Sequence, residues 1–189
     1  YVELSGYGDV YIDSTIVLEK SVELVGTGDH PARVLASDEL KGPLFEVLAP
    51  SNFVNLHLED RRRRDLETDD VSLVQVSSGG CVIRQSTLML ESGSTVIVDA
   101  AESLELIDCK VSNIRGIAID WFPGEGDVEL IISDTKLVAR TALQLDQAFS
   151  GSCQIVDCRV LAVEAVRWLQ EDEIGRQFAP GEFLLDACT

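Results

Sequence analysis

Six-residue segments of one chemical pattern recur five times along this chain, and nothing else in it limits the fold as strongly. They are Phe53-Val-Asn-Leu-His-Leu58, Ile83-Arg-Gln-Ser-Thr-Leu88, Leu106-Ile-Asp-Cys-Lys-Val111, Ile132-Ser-Asp-Thr-Lys-Leu137 and Ile155-Val-Asp-Cys-Arg-Val160. Their starts are spaced by 30, 23, 26 and 23 residues. The first and last positions are always large and apolar. The third is polar throughout (Asn55, Gln85, Asp108, Asp134, Asp157), and the fourth is Leu56 and then Ser86, Cys109, Thr135 and Cys158. The fifth runs His57, Thr87, Lys110, Lys136, Arg159. A repeat of this length that cannot bury its own apolar side chains must stack on its neighbours.

A second set of segments alternates with the first: Leu73-Val-Gln-Val76, Val96-Ile-Val-Asp99, Ile117-Ala-Ile-Asp120, Leu143-Gln-Leu-Asp146 and Val166-Arg-Trp-Leu169. Alternation with period two marks them as strands. Short strands and turn clusters such as Ser77-Ser-Gly-Gly80 and Pro123-Gly-Glu-Gly126 exclude a helical repeat. A leucine-rich solenoid would need a consensus that is missing. The pattern therefore predicts an all-β solenoid, a parallel β-helix whose coils rise by the ~4.8 Å strand spacing. Equivalent residues then form columns. In the Asn55 to Asp157 column the apolar spacing stretches from two to three, which marks a bend whose polar side chains can satisfy turn backbone.

The stretch Ser14-Thr-Ile-Val-Leu-Glu-Lys-Ser-Val-Glu-Leu-Val-Gly-Thr-Gly28 and the later Ile-x-Asp-Cys-Lys-Val segments resemble the right-handed parallel β-helix proteins of pectin-lyase-like topology. The resemblance covers roughly residues 1–169 and implies a single-domain right-handed parallel β-helix of about six to seven short coils. Residues 170–189 are expected to form a C-terminal cap or docking arm. The group holds polysaccharide lyases, hydrolases, esterases and many non-catalytic members, and no catalytic motif of it carries over to this chain. The resemblance thus implies a non-catalytic member.

With 189 residues the chain suits one domain, and 46% hydrophobic content excludes a disordered tail. No apolar run approaches the ~18 residues of a membrane span. Tyr1 is followed by no charged-then-apolar leader, so the chain reads as a processed or trimmed product. A formal net charge of −18 argues against a nucleic-acid partner and fits a cation or a basic protein partner. The register places Cys109 and Cys158 in one inward column two coils apart, roughly 10 Å, beyond the ~7 Å reach of a disulfide. Cys81 and Cys153 share another inward column, three coils apart. Free, buried thiols favour a reducing intracellular or organellar compartment.

Four features are candidate sites. Asp99, Asp120 and Asp146 each close a strand and are expected to point outward on successive coils, about 5 Å apart. Such carboxylates suit Ca²⁺ or glycosidic acid/base chemistry; the plainer reading is a solvated acidic ridge. Trp121 and Phe122 offer an aromatic pair for a sugar ring or a protein partner, or else fold over the solenoid. Arg61-Arg-Arg-Arg64 lies in the insertion that lengthens one spacing, and the acids around it suit a neutralised loop. Phe178, Phe183 and Leu184 lie in an apolar extended segment, either a cap or a docking arm onto another subunit. His30 and His57 have no nucleophile placed beside them in register.

The sequence expectation is a non-catalytic binding or scaffold module, a subunit of a larger assembly, with contacts at Trp121, Phe122, Phe178, Phe183 and Leu184 and no required cofactor. The alternative is a carbohydrate-active enzyme, a polysaccharide lyase or hydrolase, working through Asp99, Asp120 and Asp146, with a glycan ligand and calcium.

Overall fold

The computed structural model of the chain describes residues 1–6, 8–61, 71–99, 101–122, 128–146, 151–169, 182–186 and 188, with side chains excepted at 146, 168, 169 and 182–185. Every strand pairing is parallel, no helix occurs among the described residues, and the coils stack into a solenoid of about six turns. Three faces wind around one core. The first is an eight-stranded sheet running from Val2–Ser5 through Val22–Thr27, Ser51–Val54, Gly80–Arg84, Ser103–Ile107, Val128–Ser133 and Gly151–Val156 to Glu182–Asp186. The second comprises Asp9–Ile12, Ala32–Ala36, Leu56–Asp60 and Thr87–Leu90, then the opening halves of the long strands Lys110–Phe122, Lys136–Asp146 and Arg159–Leu169. The third stacks Ile16–Leu18, Phe45–Val47, Val74–Val76 and Ser94–Asp99 on the closing halves of those long strands.

Alternation fills the interior in columns. Leu24, Phe53, Ile83, Leu106, Ile132 and Ile155 stack inside the first face, and Val34, Leu58, Leu88, Val111 and Leu137 inside the second. Inside the third, Val47, Val76, Val98, Trp121 and Leu145 form a column with no exposed surface. Phe45 meets Phe53 edge-on at 5.1 Å between ring centres, tying the third face to the first.

The bend between the first and second faces explains the polar column. Asn55, Gln85, Asp108, Asp134 and Asp157 all adopt positive φ, between 49° and 54°. A left-handed backbone costs an ordinary L-residue ~1–2 kcal/mol, and Asn and Asp tolerate it best. The ladder nevertheless continues through the bend: the N–H groups of Asn55, Gln85, Asp108, Asp134 and Asp157 donate to the next coil's Arg84, Ile107, Ser133, Val156 and Asp186 carbonyls. The following column supplies the missing donors. Ser86 Oγ donates to the Arg84 carbonyl at 2.7 Å, Cys109 Sγ to Ile107 at 3.3 Å, Thr135 Oγ1 to Ser133 at 2.8 Å and Cys158 Sγ to Val156 at 3.1 Å. The two hydroxyls also accept from the previous coil, Ser86 from the Leu56 N–H and Thr135 from the Cys109 N–H. A small side chain with one donor suits four of these turns, while Leu56 fills the same column after Asn55, so these cysteines do more than fill space.

Cys188 completes that series. Its thiol donates to the Asp186 carbonyl at 3.3 Å, two residues back, as in every other member. Residues Glu182–Asp186 pair in register with Gly151–Val156, so the solenoid continues beyond residue 169 with a further strand of the first sheet. The 170–189 segment, expected to form a C-terminal cap or docking arm, thus carries one strand of the first sheet at Glu182–Asp186. At the other end, Val2–Ser5 and Asp9–Ile12 are already paired strands of the first turn. All five cysteines are free, and burial raises the Cys109 thiol to about 11 and the Cys153 thiol to about 12.

The corner between the second and third faces is irregular. Against two steps from Ala139 to Thr141, the preceding coil takes four, from Asn113 to Ile117. Ile114 and Arg115 are thrown outward by the extra length. Buried Asn113 holds the bulge shut, its Nδ2 donating to the Gly93 carbonyl at 2.9 Å and the Ile117 carbonyl at 3.0 Å. Gly116 packs so closely here that a Cβ would lie 2.0 Å from the Gly93 oxygen.

Candidate interaction surface

Two outward columns run along the second face. One reads Asp9, Arg33, His57, Thr87, then Lys110, Lys136 and Arg159. The other, two residues further along each strand, reads Tyr11, Leu35, Glu59, Met89, then Ser112, Val138 and Leu161. Water should select polar side chains at such positions, yet most of this column is apolar. Tyr11 is 66% exposed and Leu161 45%; just beyond the column, Ile114 is 74% and Val163 84% exposed.

The early half of this face is held by a charge cluster. The buried Glu59 carboxylate accepts from Arg61, from His57 Nε2 at 3.0 Å and from Arg33 at 3.5 Å, while Arg33 also grips Asp9 at 2.8 Å. Burial alone would raise the Glu59 pKa, but the bonds from Arg61 and His57 outweigh it and hold the carboxyl below its ordinary range. Beside the cluster, where the bulge lifts Ile114 and Arg115 off the surface, lies a cleft of about 360 Å³. Met89, Leu90 and Ile114 give it apolar walls; Glu59, Asp60, Arg61, Glu91, Ser112 and Arg115 complete it. Arg115 and Glu91 pair across it at 3.4 Å.

The third face is organised differently. Asp120 Oδ2 accepts from Ser94 Oγ and Oδ1 from Gln144 Nε2, both at 2.9 Å. Arg167 reaches Gln144 Oε1 at 3.4 Å and pairs with Glu164, which also accepts from Thr141 Oγ1 at 3.0 Å. The Thr141 and Arg167 bonds lower the Glu164 pKa. The result is a ladder of mutually satisfied polar side chains across four coils.

Several expected site residues sit elsewhere than the alternation suggested. Asp120 pairs in register with Ile97 and Gln144, whereas Asp99 pairs with Phe122 and Asp146 with Leu169. Asp99 and Asp120 are therefore two residues out of phase, about 8 Å apart rather than 5 Å. Asp99 is exposed while Asp120 is buried within its hydrogen bonds. Among the described residues no three His, Cys, Asp or Glu side chains converge on a metal-sized site. Trp121 is wholly buried, because it shares the parity of Ile119 in a strand that continues to Phe122. As an exposed contact it is corrected to a core residue. Phe122 is half-buried. Phe183 and Leu184 occupy the register positions of Cys153 and Gln154, while Phe178 and Arg62 to Arg64 lie outside the described residues.

What sequence reasoning missed is the second-face column of Met89, Val138 and Leu161. The signal was present one position beyond the repeat segments, in the residue after each Leu88, Leu137 and Val160. No helix of the described chain is long and apolar enough to cross a membrane. No family model matches the chain, no curated protein is detectably similar to it, and no solved structure matches it.

Proposed function

We propose that this chain is a non-catalytic binding and scaffold module of the pectin-lyase-like β-helix type, a subunit of a larger protein assembly that meets its partner through the outer surface of the second face. The observation that carries this reading is the exposure of Ile114, Leu161 and Val163 beside half-buried Met89 and Val138 on the second face. Beneath it the core column of Leu88, Val111 and Leu137 is complete, so folding does not require apolar side chains outside. Contiguous exposed apolar surface on a protein with a finished core marks a contact site.

The test is the native size of the chain in gently lysed source material, by gel filtration with detection of the chain. Elution far above 20.6 kDa, reversed by Val163→Asp with Leu161→Asp, is the expected outcome. Elution as a lone monomer rejects the reading and directs attention to polysaccharide ligands, with and without Ca²⁺.

A further inference from the structure

We infer that Cys158 and Cys188 are a redox-active dithiol pair, which a small-molecule disulfide such as oxidised glutathione converts into a bridge clipping the strand Glu182–Asp186 to the solenoid. Register brings the two together. Val156 and Asp186 are Cα partners on neighbouring coils, and the Asp157 N–H donates to the Asp186 carbonyl just beyond them. Cys158 and Cys188 each stand two residues past that pair. Both make the same two contacts. Cys158 Sγ donates to Val156, two residues back, at 3.1 Å and to Ile132 of the preceding coil at 3.4 Å. Cys188 Sγ donates to Asp186 at 3.3 Å and to Ile155 of the preceding coil at 3.4 Å. Their backbones are therefore one coil apart, ~4.8 Å, inside the roughly 4.4–6.8 Å Cα window of a disulfide.

The thiols also converge on adjacent carbonyls. Ile155 accepts from Cys188 and Val156 from Cys158, so both sulfurs lie against one stretch of backbone. No other two of the five cysteines share a column on consecutive coils. Thr135 stands between Cys109 and Cys158, and Leu104 and Leu130 stand between Cys81 and Cys153. Closing the bond brings the Cβ atoms about 1 Å nearer than the coil spacing. Glu182–Asp186 ends its sheet and pairs only with Gly151–Val156 among the described residues, so it is free to make that approach.

Exposure sets the order of attack. Cys188 is half-buried, whereas Cys158 is buried and its thiol pKa is raised by that burial. The Cys188 thiolate attacks one sulfur of oxidised glutathione. A Cys188–glutathione S–S bond forms, the oxidant's S–S bond breaks, and one glutathione leaves with the Cys188 proton. Cys158 then attacks Cys188 Sγ and expels the second glutathione, which takes the Cys158 proton. Two protein thiols and one oxidised glutathione thus become one protein disulfide and two reduced glutathione molecules, a two-electron exchange.

The experiment treats the folded full chain with oxidised glutathione, then denatures it, alkylates the remaining thiols and maps the peptides without reduction. Two of the five cysteines are expected to escape alkylation, with Cys158 linked to Cys188 in one cross-linked peptide pair. Amide hydrogen exchange across Glu182–Asp186 should slow at least about tenfold on oxidation. Cys158→Ser should stop at a glutathione adduct on Cys188, and Cys188→Ser should gain neither adduct nor bridge. Serine keeps a hydroxyl donor for the turn, as Ser86 does, and circular dichroism checks the fold of both variants. The wild-type peptide map decides the matter even if a variant misfolds. Five alkylated cysteines after oxidation, a lasting adduct on wild-type Cys188, or bridges to Cys81, Cys109 or Cys153 overturn the inference. A Cys158–Cys188 bridge that leaves hydrogen exchange unchanged overturns the clip.

Discussion

The second and third faces are built on the same coils at the same spacing, yet they use their outward side chains in opposite ways. On the third face Ser94, Asp120, Gln144, Arg167, Glu164 and Thr141 bond one another across the stack. On the second face the later coils leave Lys110, Lys136 and Arg159 without ion pairs among the described residues, and Leu161 and Val163 in water. A satisfied polar ladder serves stability, because removing one member strands its buried partners. Unpaired cations beside exposed apolar groups contribute little to folding and are free to meet another molecule. Function is therefore to be sought on the second face.

The largest test of this contrast lies beneath the third face. Trp121→Ala should cost about 3–5 kcal/mol in urea unfolding, as for a buried aromatic truncated in a packed core. A loss below ~1 kcal/mol, as for a surface residue, would return Trp121 to the exposed surface. Next, Asp120→Ala should cost about 2–3 kcal/mol, since Ser94 and Gln144 lose a charged acceptor, whereas Asp120→Asn should recover part of it. Equal stability of Asp120→Ala and wild type would mean the ladder is ornamental.

At the early end of the second face, Glu59→Gln should cost about 1 kcal/mol near neutral pH. The folded-state pKa of Glu59 is lowered, so the unfolded chain takes up the proton first on acidification. Its contribution is complete above the unfolded value and is lost as pH falls through the lower folded value. The stability gap between Glu59→Gln and wild type should accordingly close in acid; a gap independent of pH excludes the charge as its source. Smallest of all, Val163→Asp should change stability by no more than about 0.5 kcal/mol while releasing the chain from its assembly. A large loss of stability instead would make Val163 a structural residue and erase the contrast between the faces.

Much of the fold was legible because stacking writes itself into sequence. Residues that sit above one another experience the same environment, so Asn55, Gln85, Asp108, Asp134 and Asp157 could be read as one bend before any φ was known. The Ser86, Cys109, Thr135 and Cys158 column was visible too, although its purpose, donating to a carbonyl two residues back, was not. Cys188 escaped the series because an insertion separates it from Cys158. Trp121 differs from its expected place for a simpler reason: the strand continues past Asp120 to Phe122, and one more step of alternation turns the indole inward.

The candidate site was less legible. Asp99, Asp120 and Asp146 look equivalent when each strand is counted from its own apolar residues. Hydrogen bonds between coils set a different phase, and that phase pairs Asp120 with Gln144. The corner cleft was invisible for the same reason, since it exists only because the Asn113–Ile117 bulge lifts Ile114 away from Met89's coil.

By itself, then, the sequence determined that this chain stacks short strands, where its coils bend and which side chains of the repeat segments face the core. Those properties follow from local alternation and from like residues meeting like residues one coil away. The tertiary structure alone decided the phase between neighbouring coils, the burial of Asp120 and Trp121, and the meeting of apolar and cationic columns on one face. These depend on hydrogen bonds between residues more than twenty positions apart, and inserted loops change that count without leaving any mark in the local pattern.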